Sequence, residues 1–301
     1  MEETFVTAGI VREPLRLRHG VLLLCTLLLT LYTGTELLPR FSDASPLTHA
    51  RFMFHHPWAL VWGAPFALPL LFILGVHEFG HFSQALRHGI RVTWPYFIPG
   101  PPYISLGTFG AFIRLKSIIP TRGALMEVGV MGPLLGFLAS IFTLVAGFAL
   151  SAFGYHSPTD FGVNLNLPLI FQWIRGLMTG NWQSHVVLFD NPVIAAAWIG
   201  FFVQGLNLLP SGQLDGGHVL YALFRRKHRI ISRTIGITLF LLTPWGLHFL
   251  IWGLLLLVLG YGHPPCLDDA KPMSRGQVIL GIAAILIFIL SFRALPFQWT
   301  T

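Results

Sequence analysis

Apolar residues along this chain gather in long unbroken blocks separated by short polar stretches, the pattern of helices surrounded by hydrocarbon and not of surface helices or alternating strands. The blocks predict spans near residues 20–38, 58–86, 124–153 and 191–209, an apolar stretch over 230–262, and a last span near 276–293. As one helix the 230–262 stretch would measure about 50 Å against a hydrocarbon core of about 30 Å. Pro244-Trp245-Gly246 therefore reads as an interruption that makes a hairpin of two short spans. The expected fold class is all-α, a polytopic membrane protein of about six to seven transmembrane helices. One region departs from it: residues 97–104 and 109–113, separated by glycine-rich sequence, look like hairpin-forming or extended segments, a small membrane-associated β-hairpin region near 97–116.

Composition narrows the class. With 54% hydrophobic and only 10% charged residues, a soluble protein is excluded. The formal charge of +7 invites a nucleic-acid partner, but Lys and Arg fall between the apolar blocks, where they orient a membrane protein, so no nucleic acid is expected. Fifteen of the 19 lie in segments that the layout puts on one side, leaving Arg40, Arg51, Arg175 and Arg293 on the other. The positive-inside rule makes the first side cytoplasmic, with the amino terminus there. Arg12, Arg16 and Arg18 before the apolar stretch Gly20 to Leu31 could pass for a signal peptide, but no small-x-small site follows, so a retained first span is expected. Cys25 and Cys266 have neither metal-site nor disulfide-framework spacing. The outer loop, about 154–190, is too short for an inserted folded domain; its Phe171 to Ile174 and Trp182 suit the interfacial layer.

Chemistry enters with His77-Glu78-Phe79-Gly80-His81 inside the second block. On a helix, positions i and i+4 share one face about 6 Å apart, so both imidazoles reach one tetrahedral Zn²⁺ while Glu78 points at its open position. His77 lies ten residues before Arg87, about 15 Å from the end of its helix, which sets the site nearer the cytoplasm. Two His need a third protein ligand from elsewhere in the chain. Asp215 is the candidate: it lies in Asn207-Leu208-Leu209-Pro210-Ser211-Gly212-Gln213-Leu214-Asp215-Gly216-Gly217-His218, after a span that ends on the same side. A metalloprotease is the leading expectation. The alternatives are a catalytically silent membrane metal-binding or regulatory protein, and an ion or proton transporter that uses His77, Glu78 and Asp215 as a relay.

The pairing of HExxH with Asn207, Pro210, Leu214, Asp215 and Gly216 resembles the site-2 protease family of intramembrane zinc metalloproteases, which joins HExxH to an N-x-x-P-x-x-x-L-D-G segment on a later span. Gly132-Pro133 and Gly107 to Ala111 are similar to family features as well. The resemblance implies that His77, His81 and Asp215 hold one Zn²⁺ per chain, that Glu78 is the general base, and that the substrates are transmembrane segments of other proteins, as in regulated intramembrane proteolysis. Asn207 has an amide that either donates to the oxyanion or secures the unwound chain around Pro210. The hairpin offers an edge on which an unwound substrate can pair.

Bland roles are expected for the remaining polar residues. Glu127 reads as a partner behind the site or an interfacial carboxylate, His218 as a non-ligand near Asp215, and His55, His56 and His248 as interfacial or packing residues. Residues 1–301 are expected to form a single transmembrane metalloprotease domain, with a core at about 58–225, additional spans at 20–38 and 230–293, and no PDZ or CBS domain. Access would then be controlled by a prior cut, by movement of outer spans or by a regulatory membrane partner. A bacterial inner membrane is the expected location.

Overall fold

The computed structural model describes residues 14–41, 44–258, 262–293 and 297–298. Among these, three helical stretches are long and apolar enough to cross a bilayer: α1 (Leu17–Glu36), the run Pro57–Arg87 that ends in α3 (Ala64–Arg87), and α4 (Arg122–Ala152). Between the first two lies the short α2 (Pro46–His55), entered through Ser45, whose hydroxyl accepts from Thr48 N. Two further apolar helices are shorter, α6 (Pro192–Asn207) and α10 (Arg275–Ser291). The chain is thus a mostly helical membrane protein, as its hydropathy blocks require.

The α3–α4 contact is the most extensive in the molecule, and small residues make it close. A Cβ added at Gly80 would lie 2.5 Å from the Met131 carbonyl oxygen, so only glycine lets the two backbones meet there. Pro69 and Pro133 sit inside these helices and are tolerated because the bilayer leaves the chain no better structure than a helix. Helix α6 is buried along most of its length between α3, α4 and α10. Asn191 starts it: its Oδ1 accepts from Val193 N and Ile194 N, both at 3.1 Å, while its Nδ2 donates to Gly147 O at 2.8 Å and ties α6 to the end of α4. Phe66, Leu70, Leu125, Phe137, Ile194 and Phe201 fill the core that results.

The apolar stretch 230–262 does divide. Helices α8 (His228–Leu241) and α9 (Leu247–Val258) are joined through a 3₁₀ turn at Thr243–Trp245 and pack on one another. The expected hairpin is present as β1 (Tyr96–Pro99) and β2 (Thr108–Phe112), antiparallel, with Tyr96 opposite Phe112 and Ile98 opposite Gly110. Its tip leans on α1: Gly107, at φ +78°, leaves no room for a Cβ against the Thr30 backbone, and the Tyr103 hydroxyl lies 3.0 Å from that of Tyr32.

The expectation of an all-α chain with one hairpin needs correction. A second sheet, in the order β4-β3-β5, is formed by β3 (Thr159–Asn166), β4 (His185–Phe189) and β5 (Phe297–Gln298), with α5 (Leu169–Thr179) between β3 and β4. Residues 159–166 do alternate polar with apolar, Asp160, Gly162 and Asn164 against Phe161, Val163 and Leu165. That period-two signal was masked by the stronger apolar blocks on either side.

Side chains reveal the two ends of the bundle. At one end His88 bonds Glu127 (2.9 Å) and Glu127 accepts from Gln277 (2.8 Å), so the end of α3 and the starts of α4 and α10 meet. His19 of α1 stacks on Tyr96 beyond that same end of α3. At the other end Arg293 donates to Leu167 O (2.6 Å) and Trp198 to Asn166 O (3.1 Å).

Candidate metal centre

Helix α3 presents His77, Glu78 and His81, all buried, at the level where α6 unwinds. Beyond Asn207 the chain turns through Gly212 (φ +58°) before α7 (Asp215–Phe224) begins at Asp215. Gly216 and Gly217 make this re-entry possible, since a Cβ on Gly216 would strike the Leu208 carbonyl and one on Gly217 the Gly212 carbonyl. The turn thus delivers a carboxylate to two imidazoles more than 130 residues upstream. His77 Nε2 lies 3.3 Å from Asp215 Oδ2, and His81 Nε2 lies 3.3 Å from Asp215 Oδ1. The three donor atoms fall within 4.8 Å of one another.

The rings are held from behind. His77 Nδ1 donates to Gln204 Oε1 at 2.8 Å and His81 Nδ1 donates to Val128 O at 2.7 Å. Since both acceptors are oxygens, each neutral ring carries its proton on Nδ1 and turns a bare Nε2 lone pair inward. Those two lone pairs face each other at 3.0 Å, beside a carboxylate. Such an arrangement is repulsive on its own and becomes favourable with a cation between the three groups. Two imidazole nitrogens, one carboxylate and space for a further ligand are the donor set of a zinc site that keeps one position open. The residues present therefore fit Zn²⁺.

Helix α4 makes room for these rings. A Cβ on Gly132 would collide with the His81 ring, and one on Gly136 with the Gln204 amide, so a glycine seam on α4 faces the cluster. Glu78 Oε1 sits 3.9 Å from His77 Nε2, and the Ile113 backbone amide just beyond β2 is turned toward the Glu78 carboxylate. Asn207 Nδ2 lies 3.4 Å from His77 Nε2. A cavity of about 250 Å³ opens over these groups, walled by Ala111, Ile113 and Leu115 of the hairpin region.

Of the residues singled out in the sequence, His77, Glu78, His81, Asn207 and Asp215 come together. His218 lies at the margin of the same cavity, with Nδ1 2.7 Å from His263 Nε2. Glu127 does not join them; it is engaged by His88 and Gln277 at the end of the bundle. His55 and His56 are exposed and distant in the fold, and the side chain of His248 falls outside the described residues. Sequence reasoning missed Gln204, which is fully buried. A lone amide in an otherwise apolar helix, one turn before Asn207, was the available signal.

The model of peptidase family M50 matches residues 65–243. The chain is 31% identical over 247 residues to "Probable zinc metalloprotease EGY2, chloroplastic" of Arabidopsis thaliana, covering 79% of this chain and 43% of that protein. It is 30% identical over 244 residues to the protein of the same name from Oryza sativa subsp. indica, with 77% and 43% covered. It is 29% identical over 245 residues to "Probable zinc metalloprotease EGY1, chloroplastic" of Arabidopsis thaliana, with 75% and 42% covered. The chain spans less than half the length of these relatives. No solved structure matches.

Proposed function

This chain belongs to peptidase family M50, the site-2 protease family, and from that membership we propose that it is an intramembrane zinc metalloendopeptidase, hydrolysing peptide bonds in or near transmembrane segments of other membrane proteins. The observation that carries the reading is the convergence of His77, His81 and Asp215, with Glu78 beside them, in one cavity.

His77, His81 and Asp215 are the ligands in this reading, and Gln204 and the Val128 carbonyl fix the two tautomers. Zinc, when bound, would polarise the scissile carbonyl as a Lewis acid and lower the pKa of bound water to near 7. Glu78 takes the proton of the attacking water and hands it to the leaving amine, a transfer that suits a carboxylate in a buried pocket. Asn207 stands beside His77 with an amide able to donate to the developing oxyanion. A helical substrate hides its peptide bonds in its own hydrogen bonds and must be unwound first. The outer edge of β2 and the chain after it supports this step, because it runs past Glu78 and Leu115 turns its backbone groups to that side.

We take α6, the α8–α9 pair and α10 as the further spans beyond the three long helices, for six to seven crossings in all. We place the amino terminus and the lysine- and arginine-rich loops in the cytoplasm, on the side nearer the site. The membrane is read as a bacterial inner membrane; chloroplast membranes, named for the relatives, are the rival assignment.

Metal analysis of purified protein tests the core of the proposal. One zinc per wild-type chain, loss of zinc in Asp215→Ala, and retained zinc without turnover in Glu78→Gln are the expected results. Full zinc occupancy in Asp215→Ala would move the third ligand elsewhere, and a zinc-free wild-type chain would remove the reading.

A further inference from the structure

The chain from Thr108, extended up to a bend at Ser117, has two edges, and the inner one is occupied. Strand β1 covers its first half, and beyond the strands Thr93 N donates to Arg114 O (3.1 Å) and Lys116 N to Arg91 O (2.7 Å), with Val92 opposite Leu115. Because Arg114 and Lys116 direct backbone groups to that side, alternation turns those of Ile113 and Leu115 outward. There they have no backbone partner among the described residues, and the Ile113 amide faces the Glu78 carboxylate. This outer edge is the one that passes the metal cluster.

Six residues beyond Ile113, past a bend at Ser117, the path is taken by the chain itself. Leu267 N donates to Ile119 O at 3.0 Å and Asp268 N to Pro120 O at 2.9 Å, and Asp268 lies alongside Thr121 in parallel register. The segment that does this arrives from between α9 and α10 and is pinned to the bundle. Asp269 accepts from the Tyr221 hydroxyl at 2.7 Å through its carboxylate, and through its backbone carbonyl from Arg122 Nε at 2.8 Å and Arg225 at 3.2 Å. Between this segment and the metal cluster lies a second cavity of about 380 Å³, which shares Leu115, Gln213 and His218 with the first and is closed by His263 and Cys266. The His218–His263 bond at 2.7 Å links the two walls.

We propose that residues 263–271 are a fixed strap that ends the substrate groove: seated on Ile119 and Pro120, they occupy the path that an extended peptide follows past the metal, so a substrate pairs from Ile113 to about Ser117 and its next residues lodge in the cavity before His263 and Cys266. The proposal rests on the zinc-peptidase reading and adds its boundary. At about 3.3 Å per residue the open edge measures about 20 Å from Ile113 to Ile119, room for about six substrate residues on that side of the scissile bond.

Peptide hydroxamates, whose headgroup chelates zinc, test this on the full-length zinc-loaded chain in detergent. Two series carry arms of one to ten residues, extending on the amino or the carboxy side of the headgroup, and dissociation constants are read by competition. In one polarity affinity is expected to rise roughly two- to tenfold for every second residue, as each adds edge hydrogen bonds, and to stop rising at about six. In Asp269→Ala, and more gently in Tyr221→Phe, the rise continues into longer arms while short arms bind as in wild type. A wild-type rise that runs on past six residues, a plateau that neither folded variant moves, or a flat response in both polarities would overturn the strap. Absence of binding by the bare hydroxamate headgroup would instead remove the metallopeptidase reading beneath it.

Discussion

At the residue scale, the cluster depends on groups that never touch a metal. Gln204 accepts the His77 Nδ1 proton from a fully buried position, so Gln204→Leu leaves that ring without its orienting oxygen. Loss of such a partner costs 10- to 100-fold in metal affinity, which chelator competition on purified protein would read; an unchanged affinity would show that helix packing alone orients His77. Gly132→Ala acts from the opposite side by pushing a methyl into the His81 ring, and is expected to lower zinc content with little change in helicity. The motif residues were legible because HExxH is a local pattern on one helix, and Asp215 because its neighbours form a second local pattern. Gln204, Val128 and Gly132 were not, because their roles exist only where α3, α4 and α6 cross.

At the element scale, long apolar blocks announced α1, α3, α4, α6 and α10, and the proline at 244 announced the break between α8 and α9. What hydropathy could not show was structure whose partners lie far away in sequence, namely the β3–β5 sheet and the run at Leu267–Asp268. Helix α6 illustrates how one residue sets an element: Asn191 caps two amides and also reaches Gly147. Asn191→Ala removes a cap worth about 1 kcal/mol and leaves the Gly147 carbonyl short of a buried donor. A lower unfolding temperature with wild-type zinc stoichiometry in the folded fraction is the expected result in a thermal melt. The hairpin is set differently. Gly107→Ala both strains a positive φ and collides with α1, so the hairpin tip should leave its seat. Turnover is expected to fall while zinc binding stays intact, a split that separates substrate handling from metal binding.

At the scale of the whole molecule, charge and packing mark out the same end of the bundle. Side-chain contacts gather the start of α1, the end of α3, the starts of α4 and α10 and the 263–271 strap at one end of the bundle, through His19–Tyr96, His88–Glu127–Gln277 and Arg122 on Asp269. Together with the α3–α4 connection and the 225–233 segment, joined to them through Arg225 on Asp269, these segments carry fourteen of the 19 Lys and Arg. The opposite end, where Arg293 meets Leu167, holds few cations and the β3–β5 sheet. Positive charge is retained on the cytoplasmic side during insertion, so reporters fused before α1 and inserted near Lys271 should both read cytoplasmic, and one near Tyr155 should read external. A bundle is rigid enough that these three must invert together or not at all. An external signal at the amino terminus with a cytoplasmic signal near Lys271 would contradict the packing itself, whereas inversion of all three would leave the fold intact and move the metal centre toward the other face of the membrane.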